Sequence, residues 1–238
     1  MLRICCYIIL LVSIWSCQDT VPPPPEPVMA TDTVAQDATE QTLAALPKDF
    51  ESLVSTYENV DRVEWQKPEQ VINFLGDLEG KVVADIGAGS GYFSYRMLNR
   101  GAKVIATDID ERFIMWLDDH VDIVREDLQQ NFETRLATSS DNALETEELD
   151  AAIIVNTISY IPNRQTYLKE LYKCMKPSAT ILLADYKSQR VPVPAPDLSD
   201  RSVVGMIEKD MLASGFQNII VDDCTLDFQW ILLGEKPE

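Results

Sequence analysis

Between residues 82 and 93 the chain reads VVADIGAGSGYF, with Asp85 two positions ahead of Gly87 and Gly89 and Gly91 following at alternate places. Glycines so spaced after an apolar run let the backbone turn sharply and let a ligand approach the main chain near a helix N-terminus. The next apolar run, KVIATD, ends in Asp108, about twenty residues on, where an acid grips the ribose hydroxyls of a nucleoside. A dinucleotide fingerprint needs a third glycine at position 92, which is Tyr92; this opposes a nucleotide-dependent oxidoreductase. The acid at Asp85 would repel a pyrophosphate crossing the turn, yet it suits an amino-acid ammonium. The pattern therefore asks for a nucleoside that carries an amino group.

These residues need strands and helices to hold them. Helical spacing is seen in KDFESLVSTYEN and, after Pro68, in PEQVINFLGDL. KVVADIG (81–87) and KVIATD (103–108) read as buried strands, with a helix over 90–100 between them closed by Gly101. A helix over 110–130 presents Phe113, Leu117, Val121 and Val124, followed by a weak strand at 134–139 and a strong one at 149–155. Residues 163–176 form a helix with Tyr167, Leu168, Leu171, Tyr172 and Met175 on one face. A strand at 179–185, a helix at 200–214 with Val203, Val204, Ile207 and Met211 inward, and two final strands at 216–223 and 227–236 complete the order. Such alternation predicts an α/β fold, a mostly parallel seven-stranded sheet with helices on both faces. The short final link turns the last strand antiparallel.

VVADIGAGSGYF, VIATDID, LDAAIIVNTISYI and YLKELYKCMKPSATILLADY together resemble the class I S-adenosylmethionine-dependent methyltransferases, over roughly residues 57–236. EWQKPEQVINFL (64–75) looks like members of a small-molecule branch. The resemblance implies a Rossmann-like fold, S-adenosyl-L-methionine as cofactor and a small-molecule methyl acceptor. By position, Asp85 and the turn of Gly87, Ala88, Gly89 and Gly91 would hold the methionine moiety, and Asp108 with Ile109 the ribose and adenine edge. Asp141 would contact the adenine amino group, and Asn156 would face the gap between cofactor and acceptor. The paired histidines common in this branch are replaced by Ser159 and Tyr160. No catalytic base is assigned, because an activated sulfonium methyl needs mainly alignment. The family's Lys-Pro-Gly-Gly turn is Lys176-Pro177-Ser178-Ala179 here.

The remaining chemistry-bearing residues read as structure. His120, the sole histidine, falls on a helix away from the turn and suits surface packing. Trp65, Trp116 and Trp230 suit core or lid packing, with Trp65 and Arg62 able to close over the cofactor. Cys174 follows apolar helix positions and reads as buried and inert. No His, Cys and Asp set stands at metal-ligand spacing.

The N-terminus carries an address. Arg3 precedes a twelve-residue apolar run, ICCYIILLVSIW, and then Ser16-Cys17, the form of a secretory signal and too short to span a bilayer as a helix. Its end resembles the lipobox of bacterial lipoproteins, which implies acylation of Cys17 and membrane contact through that lipid in the cell envelope. Translation from Met29 would instead leave the protein cytoplasmic. Residues 18–46 hold five of the thirteen prolines, no base and no aromatic, the composition of a disordered tether. Residues 47–238 are long enough for one methyltransferase-like domain.

The whole chain of 238 residues has 20 Lys and Arg against 39 Asp and Glu, a net charge of −19. That balance argues against nucleic acid as a partner, because neutralising phosphates takes clustered bases. Export sits awkwardly with a cytosolic cofactor, so two functions stay open: an active methyltransferase, and a lipid-anchored binding protein that keeps the scaffold without the reaction.

Overall fold

A computed structural model describes residues 49–238. The signal-like run, Cys17 and the proline-rich segment lie outside the described residues. Helix α1 (Phe50–Tyr57) starts at Asp49, whose carboxylate accepts the Glu51 N–H. Helices α2 (Arg62–Gln66) and α3 (Pro68–Asn73) meet at Lys67, and Pro68 takes the first turn of α3, where a missing N–H leaves nothing unpaired. Next come β1 (Val82–Ile86), α4 (Ser94–Leu98), β2 (Lys103–Asp108), α5 (Glu111–Asp119), α6 (Glu126–Gln129) and β3 (Phe132–Leu136). The chain continues through β4 (Leu149–Val155), α7 (Arg164–Cys174), β5 (Met175–Tyr186), α8 (Val204–Ser214), β6 (Gln217–Asp222) and β7 (Gln229–Glu235).

All seven strands form one sheet in the order β3-β2-β1-β4-β5-β7-β6, and only β7 runs against its neighbours. Its central strands are buried on both faces, with alternate residues feeding opposite layers. Ile153 and Val155 of β4 join Val83, Met97 and Leu98 on one side, with Val71 and Ile72 of α3. Ala152 and Ile154 join Leu168, Leu171, Ile207 and Met211 of α7 and α8 on the other. Helix α1 packs Leu53 and Val54 against Phe113 of α5. The sheet, its order and its reversed last strand agree with the sequence expectation.

Several boundaries differ. The helix expected over 90–100 begins only at Ser94, because Gly87, Gly89 and Gly91 all hold positive φ and keep the backbone unwound before it. The helix expected over 110–130 breaks after Asp119 into a short 3₁₀ turn and α6. Asp118 and Asp119 stand at its carboxyl end, where negative charge opposes the helix dipole. The weak strand sits two residues earlier than expected, at 132–136. Helix α8 starts at Val204, leaving Val203 exposed rather than inward. Ser178 occupies a left-handed conformation, φ +63°, within β5, so the turn keeps a glycine-like backbone with a serine in it.

Candidate functional site

The strand order reverses direction at β1, so a crevice opens beside the carboxyl ends of β1 and β4. A cavity of about 850 Å³ lies there. On one side it is walled by Gly87–Ser90, by Asp108–Phe113 and by Ala137–Ser139. On the other stand Val155–Thr157, Tyr160–Pro162, Tyr186 and Pro194–Pro196, while Tyr57, Arg62 and Trp65 reach in from the N-terminal helices.

Parallel pairing sets the first wall. Ile86 pairs with Thr107, so the turn after β1 begins level with the end of β2. The Gly87 and Ala88 N–H groups both donate to the Thr107 carbonyl, at 2.8 and 3.0 Å. Gly89 N–H donates to Asp108 Oδ2 at 2.9 Å, and Asp110 N–H to Asp108 Oδ1 at 3.0 Å. Burial pushes the Asp108 carboxyl above its ordinary range, and these N–H groups act in the opposite sense. Gly87 has φ +72°, and a Cβ there would lie 2.4 Å from Thr157 Oγ1. At Gly89 a Cβ would come within 3.1 Å of the Tyr57 ring. The turn is thus pressed from both sides by packing as well as open to a ligand.

A buried relay of side chains ends at Asn156. Arg62 Nε donates to Gln66 Oε1, Gln66 Nε2 donates to Gln229 Oε1 at 2.9 Å, and Gln229 Nε2 donates to Asn156 Oδ1. Arg62 Nη1 donates to the Tyr57 carbonyl at 2.7 Å, and its guanidinium lies 4.0 Å from the Tyr92 ring centre. Gln66 and Gln229 are both fully buried. With its oxygen engaged, Asn156 keeps its amide N–H₂ for the cavity.

Gly87, Ala88, Gly89, Asp108, Ile109 and Asn156 all line the cavity. Three expected residues do not. Asp85 points beneath the turn, where Oδ2 accepts the Ser94 hydroxyl at 2.6 Å at the start of α4. Burial raises its carboxyl to about 6, against the Ser94 hydrogen bond and the nearby Arg62, which lower it. Gly91 faces Tyr95 and Leu117, so its small size serves helix packing. Asp141 is exposed and accepts the Ala143 N–H at 2.9 Å, while its neighbours Thr138 and Ser139 take the cavity wall.

Elsewhere the sequence reading fits. His120 stacks on Trp116 at 3.6 Å and its Nδ1 sits 2.8 Å from the Trp116 carbonyl, a packing role. Trp230 and Cys174 are buried, whereas Trp65 lines the cavity beside Tyr186, 5.9 Å between ring centres. Tyr57, Phe113 and Tyr186 were not singled out as site residues. The helical spacing of Leu53, Val54 and Tyr57 is the one signal that could have found the first. The glutamine pair has no sequence signal, since its members lie 163 positions apart.

Residues 84–183 match a family described as a methyltransferase domain. Phosphoethanolamine N-methyltransferase 3 of Arabidopsis thaliana is 24% identical over 178 residues, covering 70% of this chain but only 35% of that protein. A S-adenosylmethionine-dependent methyltransferase from Aquifex aeolicus superposes with a TM-score of 0.71 at 18% identity, over 80% of this chain and all of the other. Phosphoethanolamine N-methyltransferase 2 of Haemonchus contortus, solved with S-adenosyl-L-methionine, gives 0.66 at 12% identity, over 84% of this chain and 60% of that one. Residues 84–183 therefore carry a match to the methyltransferase domain family, on a sheet with the Rossmann-like fold of class I methyltransferases.

Proposed function

We propose that the protein transfers a methyl group from S-adenosylmethionine to a small-molecule acceptor. The observation that carries this reading is the Asp108 carboxylate at the cavity wall. Each of its oxygens takes one backbone N–H and retains lone pairs for a ribose diol. The residues present fit the cofactor. The turn Gly87–Ser90 presents main chain rather than bulky side chains, and the cavity is near the upper end of the roughly 300–1,000 Å³ usual for small ligands. The relatives named for phosphoethanolamine support a small acceptor.

Bound S-adenosylmethionine supplies a methyl already activated by its sulfonium, so the protein's task is alignment. Asp108 accepts from the ribose hydroxyls, and Ile109 flanks the adenine edge. The turn after β1 would lie along the methionine part, and the Asp85 carboxylate, turned beneath it toward Ser94, would not touch the ammonium directly. Tyr57 roofs Gly89 and limits water above the turn. Asn156 directs its amide across the gap toward the acceptor.

Calorimetry of the full chain with S-adenosylhomocysteine tests this. Asp108→Ala should weaken binding roughly tenfold or more, since hydrogen bonds to a charged group contribute about 1.5–3 kcal/mol. Unchanged affinity, or no binding by the unaltered protein, would reject the reading. From residues 1–17 alone we infer export and anchoring through acylated Cys17. The mass of the native N-terminal peptide checks this: an unmodified peptide beginning at Met1 or Met29 would refute it.

A further inference from the structure

The cavity side beyond Asn156 is built almost wholly from rings and prolines. Trp65, Tyr160, Pro162, Tyr186, Pro194 and Pro196 form it, and none carries a charge at neutral pH. The wall is fixed in place. Tyr186 donates its hydroxyl to the Pro194 carbonyl at 2.9 Å, and Arg201 Nε and Nη2 donate to the Pro196 carbonyl at 2.8 and 2.6 Å. Arg201 Nη1 also ties in the carbonyls of Lys187 and Gln189, at 3.1 and 2.6 Å.

Positive charge is scarce in the described lining. Its only bases are Arg62 and Arg112. Arg62 is buried, gives Nε to Gln66 and Nη1 to the Tyr57 carbonyl, and lies flat against the Tyr92 ring, 4.0 Å from its centre. Arg112 is committed to Asp110, with Nε 2.9 and 3.1 Å from the two carboxylate oxygens. Three carboxylates, Asp108, Asp110 and Glu111, line the same space. A phosphate or carboxylate brought here would lose its water beside three carboxylates, with one buried arginine and one already paired to offset that loss. A protonated amine has no lone pair to accept a methyl, and no histidine or lysine among the described residues lines the cavity to take its proton. Flat aromatic walls instead reward a ring, through burial and offset stacking.

We propose that the acceptor side selects an uncharged, flat, ring-bearing compound and excludes phosphate- and carboxylate-bearing amines. The inference rests on the methyl-transfer reading of the same cavity. In this view the hydroxyls of Tyr57 and Tyr160 receive the ring's polar atom. Burial raises both tyrosines above their ordinary values, so they stay protonated donors, and neutral carboxylate-free ligands avoid repulsion from Asp108.

Two probes read the selection in the full chain: 2-naphthol and phosphoethanolamine, each titrated by calorimetry with and without saturating S-adenosylhomocysteine. We expect 2-naphthol to bind at least tenfold tighter than phosphoethanolamine. Ala195→Arg, on the half-exposed proline wall, should weaken 2-naphthol at least fivefold and narrow or invert the ratio. Equal or tighter binding of phosphoethanolamine by the unaltered protein overturns the proposal, as does failure of 2-naphthol to bind. So does 2-naphthol binding that Ala195→Arg leaves unchanged, since the probe would then sit elsewhere. Absence of S-adenosylhomocysteine binding would instead count against the methyl-transfer reading, because the naphthol ratio is read without it too.

Discussion

Gly87→Ala is expected to lower stability by about 3 kcal/mol, seen as a Tm drop on the order of 10 °C. Two costs combine. Alanine at φ +72° enters the left-handed region, about 1–2 kcal/mol. The added methyl also meets Thr157 Oγ1 at 2.4 Å and Cγ2 at 2.5 Å. Thr157 cannot simply swing aside, because its hydroxyl donates to the Val155 carbonyl at 3.0 Å. Adding Thr157→Ala removes the two nearest of three clashing atoms and leaves Cβ at 2.9 Å together with the backbone cost, so the double variant should regain part, and less than half, of the lost stability. Thermal unfolding of the three variants decides it. A single Gly87→Ala variant with unaltered Tm would mean that the turn does not press on the loop after β4.

Gln229→Leu should cost about 3 kcal/mol as well, by a different route. Leucine neither accepts from Gln66 Nε2 nor donates to Asn156 Oδ1, so two polar groups lose their partners, each worth roughly 1–3 kcal/mol when buried. Adding Gln66→Leu removes one of the orphans and gives the new leucine an apolar neighbour. The double variant exchanges that orphan for an unpaired Arg62 Nε, so it should cost less than the sum of the two single substitutions. Urea unfolding measures both. If the second substitution adds its full separate cost, the glutamines are not coupled and the relay is not continuous.

What could be read beforehand follows from where the forces are local. The strands β1, β4 and β5 were legible because parallel strands covered on both faces must be unbroken apolar runs. The glycine turn and the strand end at Asp108 were legible because a sharp turn after a buried strand needs glycine and strand spacing sets Asp108 beside it. Asp85 had two readings in the sequence, because an acid beside a glycine turn suits either a ligand or a helix start. Only the three-dimensional path shows it taking Ser94 at 2.6 Å. Near Asp141 the loop register after β3, which the sequence does not reveal, puts Thr138 and Ser139 on the wall. Helix lengths were overestimated where apolar spacing carried on past a charged carboxyl end, as in α5. The proline wall and the glutamine pair join residues distant in sequence and chosen by packing, which leaves no periodic trace.

The reversed direction of β7 has a geometric consequence for anyone handling the protein. Because that strand alone points the other way, its first residue, Gln229, stands beside Tyr186 at the mouth, while Glu235 pairs with Thr180 at the far rim. Residues beyond Glu235 thus leave the sheet on the side opposite the opening. An affinity handle or fluorophore fused after Glu238 emerges there, distant from any incoming compound, and immobilisation through it keeps the entrance turned toward solution.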